Sequence, residues 1–475
     1  MNRHIKELIK LLGEDKVSTD PITIKLYSKN AVYYEGSALA VVFPESTMDV
    51  SKLARYAYEN DLKIYPQGSA SEIVGSSTPR EDGIVVNFMR MRKIKEINYV
   101  DSYVVAEPGV RLIELNNVLR RDGYMFPIDP ASIKSATVGG AINSGSGGMM
   151  GAKYGTMKDW VLGLEVVLPD EDGTVLRLGG KTTKNREGYD LIRLIVGSEG
   201  TLALVTESTL RITLAPERVV TVAGFFESLE DLMACVVEIK KSKLDVLIME
   251  FVDDATARMT VETLGSKVVG EGHLLITSVS TVDEAAERVR DALVHIYDEA
   301  GANKIYSAST MEEAEDMGIF DIRRNLYPAS IKMASMGLRD DEEKPYIFVE
   351  DISVPPTKLV EAVRRLRSIS DKYGFPMVLG GHVGDGNLHP VVWIRESERD
   401  KMEQFNKFVL DIMKMAIELG GVISSEHGIG TVKKDGLIMS FRSKNSLKAL
   451  RLMHEIKKIF DPKNILNPDK MLPSV

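Results

Sequence analysis

Residues 131–155 read ASIKSATVGGAINSGSGGMMGAKYG, with glycine at 139, 140, 145, 147, 148, 151 and 155. Glycine in ordered structure gives up more conformational freedom than any other residue, so a run this dense needs a cause. Two causes fit: a mobile loop, or backbone that approaches a ligand closely and aims amide N–H groups at phosphate oxygens. The familiar nucleotide loops are absent. Gly145-x-Gly147 needs glycine at 150 for the dinucleotide fingerprint and meets Met150. No Gly-x-x-x-x-Gly-Lys-Ser/Thr occurs. A dinucleotide bound here would not sit on a Rossmann unit.

Two further small-residue loops lie on either side. Pro66-Gln67-Gly68-Ser69-Ala70-Ser71 follows an apolar stretch, and Val196-Gly197-Ser198-Glu199-Gly200-Thr201-Leu202 separates two apolar runs. Singly each is a turn. Three in one half point to a long ligand threaded through a fold by its backbone. Around them the chain alternates short elements. Strands are expected at 38–43, 63–65, 84–87, 103–106 and 201–211, with a hairpin joining 161–168 to 174–178. Ser46 and Asp49 suit a capping box for a helix to about Asn60, and Gly123 stops another over 111–122. Beyond Pro216 longer helices are expected at 229–243, 282–300, 357–373 and 398–419, and strands at 246–252, 274–279 and 346–352. A domain boundary falls near Pro216.

The 475-residue length exceeds one ordinary core and predicts two or three domains. A composition 44% hydrophobic and 27% charged is that of a globular protein. Sixty basic against 69 acidic residues, a net charge of -9, argues against nucleic acid as the main partner. Cys235 is the one cysteine, which rules out an intrachain disulfide and a cysteine-ligated iron–sulfur cluster and suits a reducing cytosol. No window approaches eighteen consecutive apolar residues, and the opening MNRHIKELIKLLGEDKV lacks the apolar core of a signal peptide. The expected location is cytoplasmic, with peripheral contact at the inner face of a membrane left open.

Two motifs in the second half carry chemistry. In Gly380-Gly381-His382-Val383-Gly384-Asp385-Gly386-Asn387-Leu388-His389-Pro390, Asp385-Gly386 is a strong hairpin signal between the apolar runs 377–379 and 391–394. Centred there, the hairpin sets His382 directly opposite His389, with Cβ atoms about 5 Å apart. Two imidazoles so placed suit one divalent metal. The alternative is two unrelated histidines near a turn, weakened because the chain has seven in all. In Ser424-Ser425-Glu426-His427-Gly428-Ile429-Gly430, Glu426 is the carboxylate that would complete the site and His427 the adjacent base. Taken alone, that Glu-His pair reads as a solvated loop.

Together, the glycine segment, the Pro-x-Gly-Ser loop, Val-Gly-Ser-Glu-Gly-Thr-Leu, His-x-Gly-Asp-Gly-Asn-x-His and Glu-His-Gly resemble the FAD-linked D-2-hydroxy acid dehydrogenases of the vanillyl-alcohol oxidase type. That family includes D-lactate dehydrogenase, the glycolate oxidase catalytic subunit and D-2-hydroxyglutarate dehydrogenase. The resemblance runs from about Glu35 to Asn467-Pro468-Asp469-Lys470. It implies an α+β fold: an FAD-binding domain over 1–215, in two subdomains split near 100; an α+β cap, or substrate, domain with the metal hairpin over 216–425; and a segment over 426–475 returning to the flavin site. The loop from Pro66 through Gln67, Gly68, Ser69 and Ala70 to Ser71 would hold the pyrophosphate. Pro130, Ser132, Thr137, Gly139, Gly140, Asn143, Ser144 and Gly147 would line the cofactor, joined by Tyr154, Gly155, Glu199, Gly200, Val205 and Asn467. His382, His389 and Glu426 would ligate zinc or another divalent ion, His427 would be the base, and Arg323 of Phe320-Asp321-Ile322-Arg323 would bind substrate with help from Lys344. Without the resemblance, Arg323 reads as a solvent-facing helix charge.

The implied reaction oxidises a small D-2-hydroxy acid, D-lactate foremost, to the 2-oxo acid, with hydride passing to flavin N5 and electrons to an external quinone, cytochrome or electron-transfer flavoprotein. Glycolate and D-2-hydroxyglutarate are the alternative substrates. A transferase like alkylglycerone-phosphate synthase and a non-catalytic flavin subunit are minority readings. The oligomeric state, homodimer included, stays open. Two departures from the family matter. The pyrophosphate loop of the family usually begins Arg-Gly and carries Gly-Thr-Ser; here Gln67 takes the place of the arginine and Glu72 is added, which predicts loosened FAD. Ser71 stands where some relatives attach flavin through histidine, which predicts non-covalent FAD.

Overall fold

The computed structural model describes residues 2–32, 35–80, 83–336 and 345–474. The chain divides into two compact units, one of Met1–Gly148, Tyr154–Ala215 and Glu426–Val475, the other of Met149–Lys153 and Pro216–Ser425.

The first unit holds two main sheets. In one, Ala40–Val42, Gly83–Asn87 and Lys63–Gln67 run parallel, and the short strand Val17–Ser18 pairs antiparallel on Ala40–Val42. Strands 40–42 and 83–87 are buried along their whole length, as apolar parallel strands covered on both faces are. The helix Thr47–Glu59 begins where Ser46 Oγ accepts the Asp49 N–H, and it buries Val50, Leu53, Ala54 and Ala57. The other sheet is antiparallel, in the order Ile94–Asn98, Tyr103–Ala106, Leu204–Arg211, Val161–Val167, Val175–Gly179. The helix Leu112–Leu119 packs into the same core, and the 3₁₀ turn after it ends at Gly123 in the left-handed conformation. The last stretch of chain returns to the first sheet: Ile465 and Leu466 are fully buried, Ile465 O accepts from Ile64 N, and Asn467 N donates to Ile64 O.

The second unit is built on one antiparallel sheet of eight strands. Its order is Lys304–Ala308, Arg218–Phe226, His273–Thr281, Val246–Val252, Met377–His382, Asn387–Arg395 and Pro345–Val349, and Ile352–Ser353 also pairs with Asn387–Arg395. Helices Leu229–Lys241, Ala286–Glu299, Leu359–Tyr373 and Met402–Glu418 bury apolar stripes spaced three and four residues apart. The expected strand over 346–352 is broken in two. Glu350 and Asp351 lie fully buried at the break, where Asp351 N donates to Glu350 Oε2 and Glu350 N to Pro390 O. Arg218–Phe226, Lys304–Ala308 and the helices Asp254–Leu264 and Leu326–Ser335 were not anticipated from the sequence.

Candidate functional site

In the first unit the three small-residue loops come together. A Cβ on Gly68 would lie 2.2 Å from Thr137 Oγ1, so no side chain fits there. Thr137 Oγ1 in turn accepts from Gly140 N and caps the short helix Val138–Ser144. Gly200, at φ +67°, turns so closely that a Cβ would lie 2.7 Å from Pro66 Cγ and 3.3 Å from Asn143 Nδ2. Glu199 N donates to Asn143 O at 2.7 Å and Gly197 N to Ile142 O at 2.8 Å. Much of the glycine run therefore serves the packing of protein on protein.

Ala70, Glu199 and Asn467 all hold positive φ without being glycine, a strain that persists only where surroundings over-determine it. The returning segment supplies part of that constraint. Asn467 Nδ2 donates to Ser76 O at 2.9 Å and to Glu199 O at 2.7 Å, and Thr431 N donates to Val74 O. Ser144 Oγ bonds Gly140 O within the helix, while Pro130 and Ser132 accept within their own turn. Gly139 packs on Pro108 and Gly147 beside Glu426. Tyr154 and Gly155 pack on Trp160 and Asp159, and Val205 is core of the antiparallel sheet.

Charge around these loops is unusual. Glu199 is buried; its carboxylate accepts Ile429 N at 2.6 Å and Gly430 N at 2.8 Å. Burial pushes that carboxyl up to about 7, against the pull of the two N–H groups. Glu72 turns into its own loop, where Oε2 accepts from Val74 N and Gly75 N and Oε1 from Ser77 N and Oγ. Burial lowers the Lys470 ammonium to about 8, opposed by the Glu72 charge. Asn143 Oδ1, Ser198 Oγ and Asn467 Oδ1 are buried with no hydrogen-bond partner among the described residues. Buried polar atoms of this kind call for a ligand or ordered water, and small residues beside them leave room for a ligand backbone. The residues present fit a dinucleotide-sized group.

In the second unit the chemistry sits at the end of the Met377–His382/Asn387–Arg395 hairpin. The turn holds four residues, 383–386, and His382 pairs with Asn387 while His389 pairs with Gly380. The expected direct opposition of the two histidines is therefore corrected by two residues. Because strand side chains alternate with period two, that slip keeps both on one face, as diagonal neighbours. Their ring centroids are 5.1 Å apart at 81°, and both are buried.

Across the neighbouring strand, Glu250 stands opposite His382 in register. Its Oε1 lies 2.5 Å from His382 Nδ1 and its Oε2 accepts from Arg323 Nε at 2.5 Å. Burial of Glu250 raises its carboxyl, but His382 and Arg323 outweigh that and hold it below the usual range. Arg323 belongs to the short helix Asp321–Arg324 and is mostly buried against this carboxylate, so it is not a solvent-facing helix charge. Asp351, fully buried, accepts from Asn387 Nδ2, Ser424 Oγ and Ser425 N, with Oδ1 4.0 Å from His389 Nδ1. Glu250 and Asp351 were missed in the sequence; the signal for Glu250 was a lone carboxylate inside the apolar run VLIMEFV.

Glu426 and His427 belong to the first unit, where Glu426 Oε1 lies 3.8 Å from His427 Nε2 and both are partly buried. Lys344 lies outside the described residues. Among the described residues no helix is long and apolar enough to cross a membrane.

Comparison with known proteins gives these features a setting. Residues 38–179 match the FAD binding domain family and residues 215–471 the family of FAD linked oxidases, C-terminal domain. A glycolate oxidase subunit of Bacillus subtilis is 33% identical over 99% of this chain and 97% of its own length. A D-lactate dehydrogenase of Archaeoglobus fulgidus is 36% identical over 91% of each chain. Among solved structures, p-cresol methylhydroxylase gives a TM-score of 0.78, covering 99% of this chain and 96% of that one. An alkyldihydroxyacetonephosphate synthase gives 0.73, covering 98% and 86%. At 17% and 18% identity these two carry the fold alone. With both family models matched in order along one α+β chain, this protein belongs to the FAD-linked oxidases, as an FAD-binding oxidoreductase.

Proposed function

We propose that this enzyme oxidises a small D-2-hydroxy acid, D-lactate foremost, to the 2-oxo acid and passes the electrons to an external acceptor. The observation that carries the reading is one cluster in the second unit: the Arg323 guanidinium, from a short helix, and His382 on one buried carboxylate, with His389 ring-to-ring 5.1 Å from His382. A 2-hydroxy acid presents a carboxylate and an adjacent hydroxyl. A guanidinium suits the first and a pair of imidazoles holding a divalent ion, zinc by preference, suits the second. The names of the relatives, a D-lactate dehydrogenase and a glycolate oxidase subunit, support this substrate class.

In this reading Pro216–Ser425 is the substrate domain and the first unit takes FAD non-covalently, since Ser71 offers no histidine for attachment. Bound FAD would supply the hydride acceptor, and a bound divalent ion would supply positive charge at the hydroxyl. Arg323 orients the carboxylate, and His427 receives the hydroxyl proton at its imidazole. His382 and His389 would be metal ligands by their diagonal placement on one face of the hairpin; Glu426 is proposed as the third by resemblance. Lys344 is proposed to assist Arg323 on the same ground. The protein works in the cytoplasm or at the inner face of a membrane. The test is anaerobic bleaching of the FAD-reconstituted, zinc-supplemented protein by D-lactate, L-lactate, glycolate and D-2-hydroxyglutarate in turn. Bleaching by a D-acid that is lost in His382→Ala is expected; no bleaching with flavin demonstrably bound overturns the reading.

A further inference from the structure

Glu250 is fully buried in the middle of a sheet, yet neither the substrate nor a metal needs it as a direct partner in the reading above. Its two oxygens are spent on two different functional side chains. Oε1 engages His382 Nδ1, from the strand beside it, and Oε2 engages Arg323 Nε, from a separate helix, both at 2.5 Å. A carboxylate accepting at Nδ1 selects the tautomer with hydrogen on that nitrogen and turns the ring so that a metal would be taken on Nε2. The same carboxylate, accepting from Nε of Arg323, restricts the plane of the guanidinium.

We propose that Glu250 is a positioning residue that sets the substrate cation Arg323 and the metal ligand His382 as one rigid pair. The proposal rests on the substrate reading given above. It explains why a bare carboxylate occupies the centre of an otherwise apolar strand. It also implies that disturbing one partner misaligns the other, although Arg323 and His382 lie 59 positions apart in the chain.

The experiment compares wild type with Glu250→Gln, which keeps the shape but presents an amide N–H to one of two donors. Zinc affinity is read by chelator competition, and kcat and KM with the acid that bleaches the flavin. A 10–100-fold loss of zinc affinity is expected, the range found for such outer partners of ligands. A rise of about tenfold in KM, the size of one lost charged contact, is expected alongside. Wild-type zinc affinity and wild-type KM in Glu250→Gln overturn the proposal.

A metal-free readout separates this from failure of the metal reading. In protein labelled with ¹⁵N-histidine, His382, assigned by its loss in His382→Ala, is expected to carry hydrogen on Nδ1, and Arg323→Met is expected to leave that tautomer intact. Hydrogen on Nε2 instead overturns the positioning role whether or not zinc binds. If Glu250→Gln does not fold, the wild-type tautomer and the KM of Arg323→Lys decide. An unchanged KM there also overturns the proposal, since a fork held by Nε is not replaceable by an ammonium.

Discussion

Glu72 follows the Pro66–Ser71 loop, and its carboxylate is held by three backbone N–H groups and one hydroxyl of its own loop. Those N–H groups are the kind that a phosphate would use. Glu72→Ala removes the competing charge and releases them, so FAD retention is expected to rise several-fold, read as the apparent Kd from flavin fluorescence. The loop loses charge-assisted bonds, and melting should report a loss of roughly 1.5–3 kcal/mol. A lower melting temperature with unchanged FAD affinity would argue that Glu72 is purely structural. Glu199 makes a different prediction. With its carboxyl raised from 4.5 to about 7 in the folded chain, its contribution to stability is fully present below about pH 4.5 and disappears as pH rises through 7. Each step of one pH between those two values is worth roughly 1.4 kcal/mol, which makes the whole change on the order of 3 kcal/mol. Between pH 5 and pH 8, thermal melts of wild type should fall more steeply than those of Glu199→Gln.

The hairpin shows how far the sequence could be read and where it stopped. Asp385-Gly386 announced a turn between two apolar runs, and the spacing of His382 and His389 put them on one face; both were legible. The register was not, because it is set by a strand elsewhere in the chain. Ile352 and Ser353 pair with Leu388 and Asn387, Val354 N donates to Gly386 O, and Asp351 takes Asn387 Nδ2. Together these draw Asn387 into the ladder and leave a four-residue turn. The same reason hid Glu250 and Asp351: their partners are 132 and 36 positions away, and no local pattern reports a pairing at that separation. The hairpin is also closely wound. A Cβ on Gly381 would lie 2.2 Å from Asn387 O, so Gly381→Ala should pry the two strands apart. The expected cost is about 1–3 kcal/mol in a melt, with a fall in zinc affinity, while FAD binding by the first unit is unchanged.

At the scale of the molecule, the chain leaves its first unit at Ala215 and comes back to it only at Glu426. Fully burying a residue such as Ile465 or Leu466 is worth about 1.5–3 kcal/mol, so a chain ending at 425 leaves the first sheet short of a wall. A fragment of residues 216–425, with its own eight-stranded sheet, should show a cooperative thermal transition by circular dichroism. A fragment of residues 1–215 should not, and should recover one when a 426–475 peptide is added. Synthesis inherits the same dependence. The first unit is begun first and finished last: about 250 residues separate Ala215 from Leu466. At roughly 5–20 residues per second, that is roughly 12–50 s on the ribosome. During that wait the nascent chain presents an uncovered apolar edge around Ile64, and the second unit is complete at Ser425, before the returning segment is made. The order of folding is thus the reverse of the order of translation, and the growing polypeptide has reason to recruit a chaperone at its oldest end.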